Sequence, residues 1–183
     1  MAMETRSKLS PPVGLRDHVQ GLRNAPVTLV EYGDFECPYC GAAYPIIKQV
    51  QRLLGEDICF VFRHFPLTQV HPHAEGAAEA SEAAGAQRRF WAMHDLLFEN
   101  QQTLDSRNLV SFAEMLELDI ERFVQELEAR VYSQRVREDF MSGVRSGVNG
   151  TPAFFINGIR HDGSWELAPL LAAIENARAR AAA

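Results

Sequence analysis

Cys37 and Cys40, with Pro38 and Tyr39 between them, form the one CxxC of this 183-residue chain. Two thiols at that spacing can do two kinds of chemistry. On a helical turn they can attack, bridge and release a disulfide in succession; alternatively they can supply half of a tetrahedral metal site. The metal use needs two more ligands at matching spacing, and no second CxxC or CxxH occurs, so no metal is expected. The third cysteine, Cys59, lies nineteen residues after Cys40 within an apolar run and is expected to be a small core side chain. Three cysteines so placed build no disulfide framework.

Thiol exchange needs the attacking sulfur as a thiolate, and a helix N-terminus favours that form through its unpaired N–H groups and its dipole. The flanking residues predict such a placement. Residues 27–32 are apolar and β-branched, bounded by Pro26 and Gly33, as a buried strand would be. From Pro38 onward, Ile46, Ile47, Val50, Leu53 and Leu54 recur at helical spacing up to Gly55. Cys37 then falls at the helix cap. Pro38 takes the first helical position, where its missing N–H loses nothing, and Cys40 follows on the same face. Cys37 is therefore the expected nucleophile and Cys40 the resolving thiol.

Residues 58–62 form a second apolar run, so a right-handed parallel β-α-β unit is expected. Between Pro72 and Val148 the periodicity turns helical. His71-Pro72 with Glu75 suits a helix start, an alanine-rich helix follows, and Phe90, Trp91, His94, Leu97 and Phe98 make a core stripe. Ser106 and Asp119 are expected N-caps, and Val136, Phe140, Val144 and Val148 mark a last long helix. Asn157-Gly158 between two short apolar runs, residues 153–156 and 159–161, signals a hairpin, and Leu167, Leu170, Leu171 and Ile174 mark a closing helix. The expected class is α/β, in the order β-α-β, helical insert, β-β-α. Residues 1–12 read as a loose polar tail, 13–66 with 149–183 as one domain, and 67–148 as the inserted helical subdomain.

A net charge of −6 argues against a nucleic-acid surface, and no apolar run approaches the roughly 20 residues of a membrane span. The opening residues have no leader pattern, which predicts a cytoplasmic protein, or a periplasmic or otherwise extracytoplasmic one if a leader was trimmed. A monomer is the default expectation.

The motifs Val30-Glu31-Tyr32-Gly33-Asp34-Phe35-Glu36-Cys37-Pro38-Tyr39-Cys40, Phe62-Arg63-His64-Phe65-Pro66, Phe90-Trp91-Ala92-Met93-His94-Asp95 and Gly150-Thr151-Pro152-Ala153-Phe154 resemble the DsbA-like family of thiol-disulfide oxidoreductases. The resemblance covers nearly the whole chain. It implies a thioredoxin fold interrupted by a helical domain, and a cis-proline, Pro152, that packs against the active-site disulfide. It further implies that Thr151 offers backbone groups to a substrate strand and that Glu31 is a buried acid beneath the second cysteine, able to relay its proton. The residues alone allow Glu31 to be a solvated edge carboxylate equally well. Pro38 and Tyr39 would contact substrate, and Tyr39 would tune the redox potential, for which strongly oxidising relatives use histidine. The expected partners are protein or peptide thiols and disulfides and a redox protein that regenerates the motif, with no bound cofactor. His64, His71 and His73 match no ligand spacing and are expected to serve capping and surface polarity. The alternatives are a non-catalytic redox-sensing module and, less favoured by the retained cysteine pair, a glutathione-dependent transferase or isomerase.

Overall fold

The computed structural model describes residues 7–181. Five strands form one sheet in the order β1-β3-β2-β4-β5: β1 His18–Gln20, β2 Val27–Gly33, β3 Ile58–His64, β4 Ala153–Ile156 and β5 Ile159–His161. The two long strands sit inside the sheet, which explains their near-continuous apolar runs. β3 is buried at all seven positions, and β2 at all but Thr28. β2 pairs antiparallel with β4 in the register Glu31↔Phe154, and β4 turns into β5 through Asn157 and Gly158. Both turn residues have positive φ, 48° and 77°, the geometry that asparagine and glycine tolerate best. β1 pairs antiparallel with β3; its sequence, His-Val-Gln, carries no apolar alternation and gives no strand signal.

The helices are α1 Pro38–Leu54, α2 Ala74–Ala86, α3 Phe90–Glu99, α4 Ser106–Met115, α5 Ile120–Glu128, α6 Ser133–Arg145 and α7 Leu167–Ala181. Two sequence expectations need correction here. The N-cap of α4 is Asp105, whose carboxylate accepts the N–H groups of Arg107 and Asn108, so Ser106 is the first helical residue. α6 ends at Arg145, before Val148, because the chain turns at Gly147 with φ of 78°. Asp119 caps α5 as expected, accepting from the Arg122 N–H.

Compactness divides the chain into two units. Among the described residues, one comprises 7–32, 42–63 and 141–181; the other comprises 33–41 and 64–140. The sequence boundary at 66/67 leaves residues 33–41 outside the helical insert, whereas here they group with it. Phe35 gives the physical reason. Its ring is buried within the helical unit against Phe98 at 4.9 Å, His94 at 5.7 Å and His64 at 6.0 Å.

In the sheet unit, residues 7–12 are not the loose tail expected from composition. Lys8 bridges to Ile159, the Leu9 N–H donates to the Gly158 carbonyl, and Leu9 is buried. Residues 1–6 of that expected tail lie outside the described residues. The anchor of this stretch is Arg63. Its Nε and Nη2 donate to the two Asp17 carboxylate oxygens at 2.8 and 3.0 Å, Nη1 to the Tyr32 hydroxyl and the Pro11 carbonyl at 3.0 Å, and Nη2 to the Pro12 carbonyl at 3.2 Å. A guanidinium is the side chain able to hold so many acceptors in one plane.

Cys59 is buried in β3, and burial pushes its thiol up, against a smaller downward pull from Arg23. In the native protein at pH 8, iodoacetamide is expected to label Cys59 at least about a hundredfold more slowly than Cys37, with the gap closing in guanidinium. Mass mapping of the labelled peptides checks this. Equal native rates would mean that the strand opens readily.

Candidate active site

The CPYC turn lies where α1 begins. Cys37 closes the first helical hydrogen bond, its carbonyl accepting from the Gly41 N–H at 3.0 Å, so Cys37 holds the cap position and Pro38 the first helical one. The first-turn N–H groups and positive dipole end of α1 therefore lie at the Cys37 residue. Pro38 and Tyr39 are exposed, Tyr39 at 66%, whereas Cys37 is 3% exposed and Cys40 fully buried. None of the three cysteines is in a disulfide.

The approach to the cap is built by Asp34. Its Oδ1 accepts the Glu36 N–H at 2.8 Å and its backbone carbonyl accepts the Cys37 N–H at 3.1 Å, a turn that delivers Cys37 to the helix start. Its Oδ2 accepts the Leu67 N–H and pairs with His71 Nδ1, both at 2.8 Å. The carboxylate is fully buried, so these partners replace its water. Glu36 Oε2 accepts the His73 N–H at 2.6 Å, and Gln101 Nε2 donates to the carbonyls of Phe35 at 2.8 Å and Cys37 at 2.9 Å. Beside the turn opens a cavity of about 420 Å³ whose lining includes Glu36, Pro38, His71, His73, Gln101 and Asp105. His71 is thus not surface polarity, as the sequence suggested, but a partner of a buried carboxylate. Asp34 and Gln101 gave no signal as site residues, because the contacts that tie them to the rest of the site span 33 to 66 residues along the chain.

In the sheet unit, Glu31 is 2% exposed on β2, which rules out the solvated carboxylate. The Thr151–Pro152 peptide bond is cis, as is Ser10–Pro11. Thr151 and Pro152 are half-buried at the entry to β4.

His64, Glu82 and Asp139 form a buried group whose ligand-type atoms lie within 4.8 Å of one another. His64 pairs with Glu82 at 2.9 Å, and its backbone N–H donates to Asp139 at 3.2 Å. Burial pushes the Asp139 carboxyl up, opposed by His64 and Arg135. Arg135 reaches both acids, Asp139 at 2.8 Å and Glu82 at 3.6 Å, and so supplies the positive charge that a cation would otherwise bring. The donors are thus already committed to a structural network, one that sequence spacing did not reveal.

Comparison with known proteins adds to this geometry. A family model described as thioredoxin matches residues 15–176. The Na(+)/H(+) antiporter NhaA 1 of Salinispora arenicola is 52% identical over 164 residues, 88% of this chain and 25% of that protein. The chain thus spans about a quarter of the length of such relatives. Among solved structures, a thioredoxin-like oxidoreductase from Silicibacter pomeroyi superposes with a TM-score of 0.79 at 26% identity, covering 89% of this chain and 92% of that one. BdbD from Bacillus subtilis, oxidised, shares the fold with a TM-score of 0.79 at 24% identity over 89% of this chain and 93% of that one. Among the described residues, no helix is long and apolar enough to cross a membrane.

Proposed function

The chain belongs to the thioredoxin family, and from that premise we propose that it exchanges disulfides with protein or peptide substrates through Cys37 and Cys40. The observation that carries the proposal is the CPYC turn at the start of α1, with the second thiol buried one turn on. In the reductive direction, the Cys37 thiolate attacks one sulfur of a substrate disulfide, an S–S bond forms between them, and the other substrate sulfur leaves as a thiolate that takes up a proton. The Cys40 thiolate then attacks the Cys37 sulfur. A Cys37–Cys40 disulfide forms and the first substrate sulfur departs reduced. Two electrons have passed to the substrate, and a dithiol partner must return them. The reverse sequence oxidises a substrate dithiol and needs a disulfide partner.

The proposal extends to Pro38, Tyr39, Thr151 and Pro152 as substrate contacts and to Glu31 as the relay for the Cys40 proton. Burial of Glu31, and the exposure of Pro38 and Tyr39 with the partial exposure of Thr151 and Pro152, are the observations that support these roles.

Cys40→Ser tests the two-step scheme. With the resolving thiol gone, the mixed disulfide on Cys37 should accumulate on mixing with a disulfide-bonded peptide, seen as a mass increase equal to one peptide chain and lost on adding dithiothreitol. Absence of that adduct, with Cys37 still alkylatable, would refute the order of attack.

A second reading has an observation of its own. Relatives at 52% and 49% identity carry this module as about a quarter of proteins named Na(+)/H(+) antiporters, which favours a redox-responsive module serving a larger protein. Slow exchange with unrelated disulfides, together with a large change in partner binding on oxidation, distinguishes it from the catalytic reading.

A further inference from the structure

Gly41 stands in the first turn of α1, where glycine is about 0.5–1 kcal/mol less favourable than alanine. It is not among the glycines of positive φ, so the backbone does not demand it. Its neighbour does. A Cβ at position 41 would lie 2.6 Å from Cδ of Gln101 and closer still to its Oε1. At its other end the same amide uses both of its N–H donors on the turn, one to Phe35 O at 2.8 Å and one to Cys37 O at 2.9 Å. Both partners are carbonyls, which can only accept, so the amide orientation is fixed by chemistry. One planar group thus bridges two carbonyls flanking Glu36 and locks the rotation of the peptide units leading to the cap.

The upstream end of the turn is pinned separately. Asp34 holds the Glu36 N–H, and Leu67 and His71 hold Asp34. What Gln101 adds is a hold on the Cys37 carbonyl itself, the first acceptor of α1.

We propose that Gln101 is a positioning residue for the attacking thiol, clamping the Phe35–Cys37 backbone to the start of α1, and that position 41 is glycine so that this clamp can close. Its meaning for catalysis rests on the disulfide-exchange function, but the clamp is measured without it. With the clamp in place the helix N–H groups keep a fixed bearing on the Cys37 residue. Without it the turn rocks and the sulfur loses part of that stabilisation.

The test follows Cys37 alkylation in the reduced protein against pH, mapped by mass. Gln101→Met keeps the side-chain length but removes both donors. It should lower the rate at pH 7 by about fivefold and move the profile to higher pH, with the helical circular dichroism unchanged. Gly41→Ala should reproduce this, since its methyl displaces the end of a flexible side chain without disturbing the core. In the double variant Gly41→Ala/Gln101→Ala the methyl has room, so the rate should be no lower than with Gln101→Ala alone. Should Gln101→Met fail to fold, Gly41→Ala alone carries the profile. A wild-type profile in these variants, or effects that add in the double variant, would overturn the clamp. If the profiles shift as expected while the wild-type protein exchanges no peptide disulfide, the clamp stands and the exchange function fails.

Discussion

Cys37→Ser should abolish disulfide exchange, lowering the rate of insulin-disulfide reduction by about 10³-fold or more, to the uncatalysed background. A serine hydroxyl at the same cap stays protonated at neutral pH and forms no S–S bond, so neither the favourable helix end nor the buried Cys40 can compensate. Folding should be spared, since the change replaces sulfur by oxygen at one site and leaves the Cys37 backbone bonds to Asp34, Gly41 and Gln101 in place. The measurement is turbidity of reduced insulin with dithiothreitol as electron source, read beside a circular dichroism spectrum. Activity equal to the wild type in a folded Cys37→Ser protein would refute the catalytic reading outright.

The second large effect concerns stability. Arg63→Met should destabilise the protein by about 3 kcal/mol, read as a lower urea midpoint. Methionine fills much of the stem volume but leaves the Asp17 carboxylate buried without its cation, together with the Tyr32 hydroxyl and two proline carbonyls. Arg63 cannot relieve such a pair by titrating. Burial pulls its pKa down, but Asp17 and Tyr32 more than offset this and hold the guanidinium above its usual range. The double variant Asp17→Asn/Arg63→Met should recover part of the loss, because the remaining amide carries no charge. A single-variant loss under about 1 kcal/mol would show that water reaches this pair.

Much of this architecture was legible in the chain itself, and the legible parts share one property. β2, α1, the Asn157-Gly158 hairpin and α7 are each encoded within a dozen or so neighbouring residues, through apolar period, a proline at a helix start, or residues that accept positive φ. The CPYC motif belongs to this class, since the strand before it and the helix after it, both encoded locally, place it at a helix start. β1 was missed because three polar-flanked residues carry no period; their strand conformation comes from pairing with β3. The tail at 7–12 was misjudged for the same reason, its composition being poor while its ordering is supplied by Arg63 and by the edge of β5.

What the residue order determined was the pair of thiols, the helix that carries them and the succession of elements around them. What only the tertiary structure decided was which distant groups support that turn: His71 on Asp34 across 37 positions and Gln101 on Cys37 across 64. Local dihedral preference fixes elements, but a buried carboxylate or carbonyl takes whichever donor packing brings within 3 Å, and no spacing rule states which one that will be.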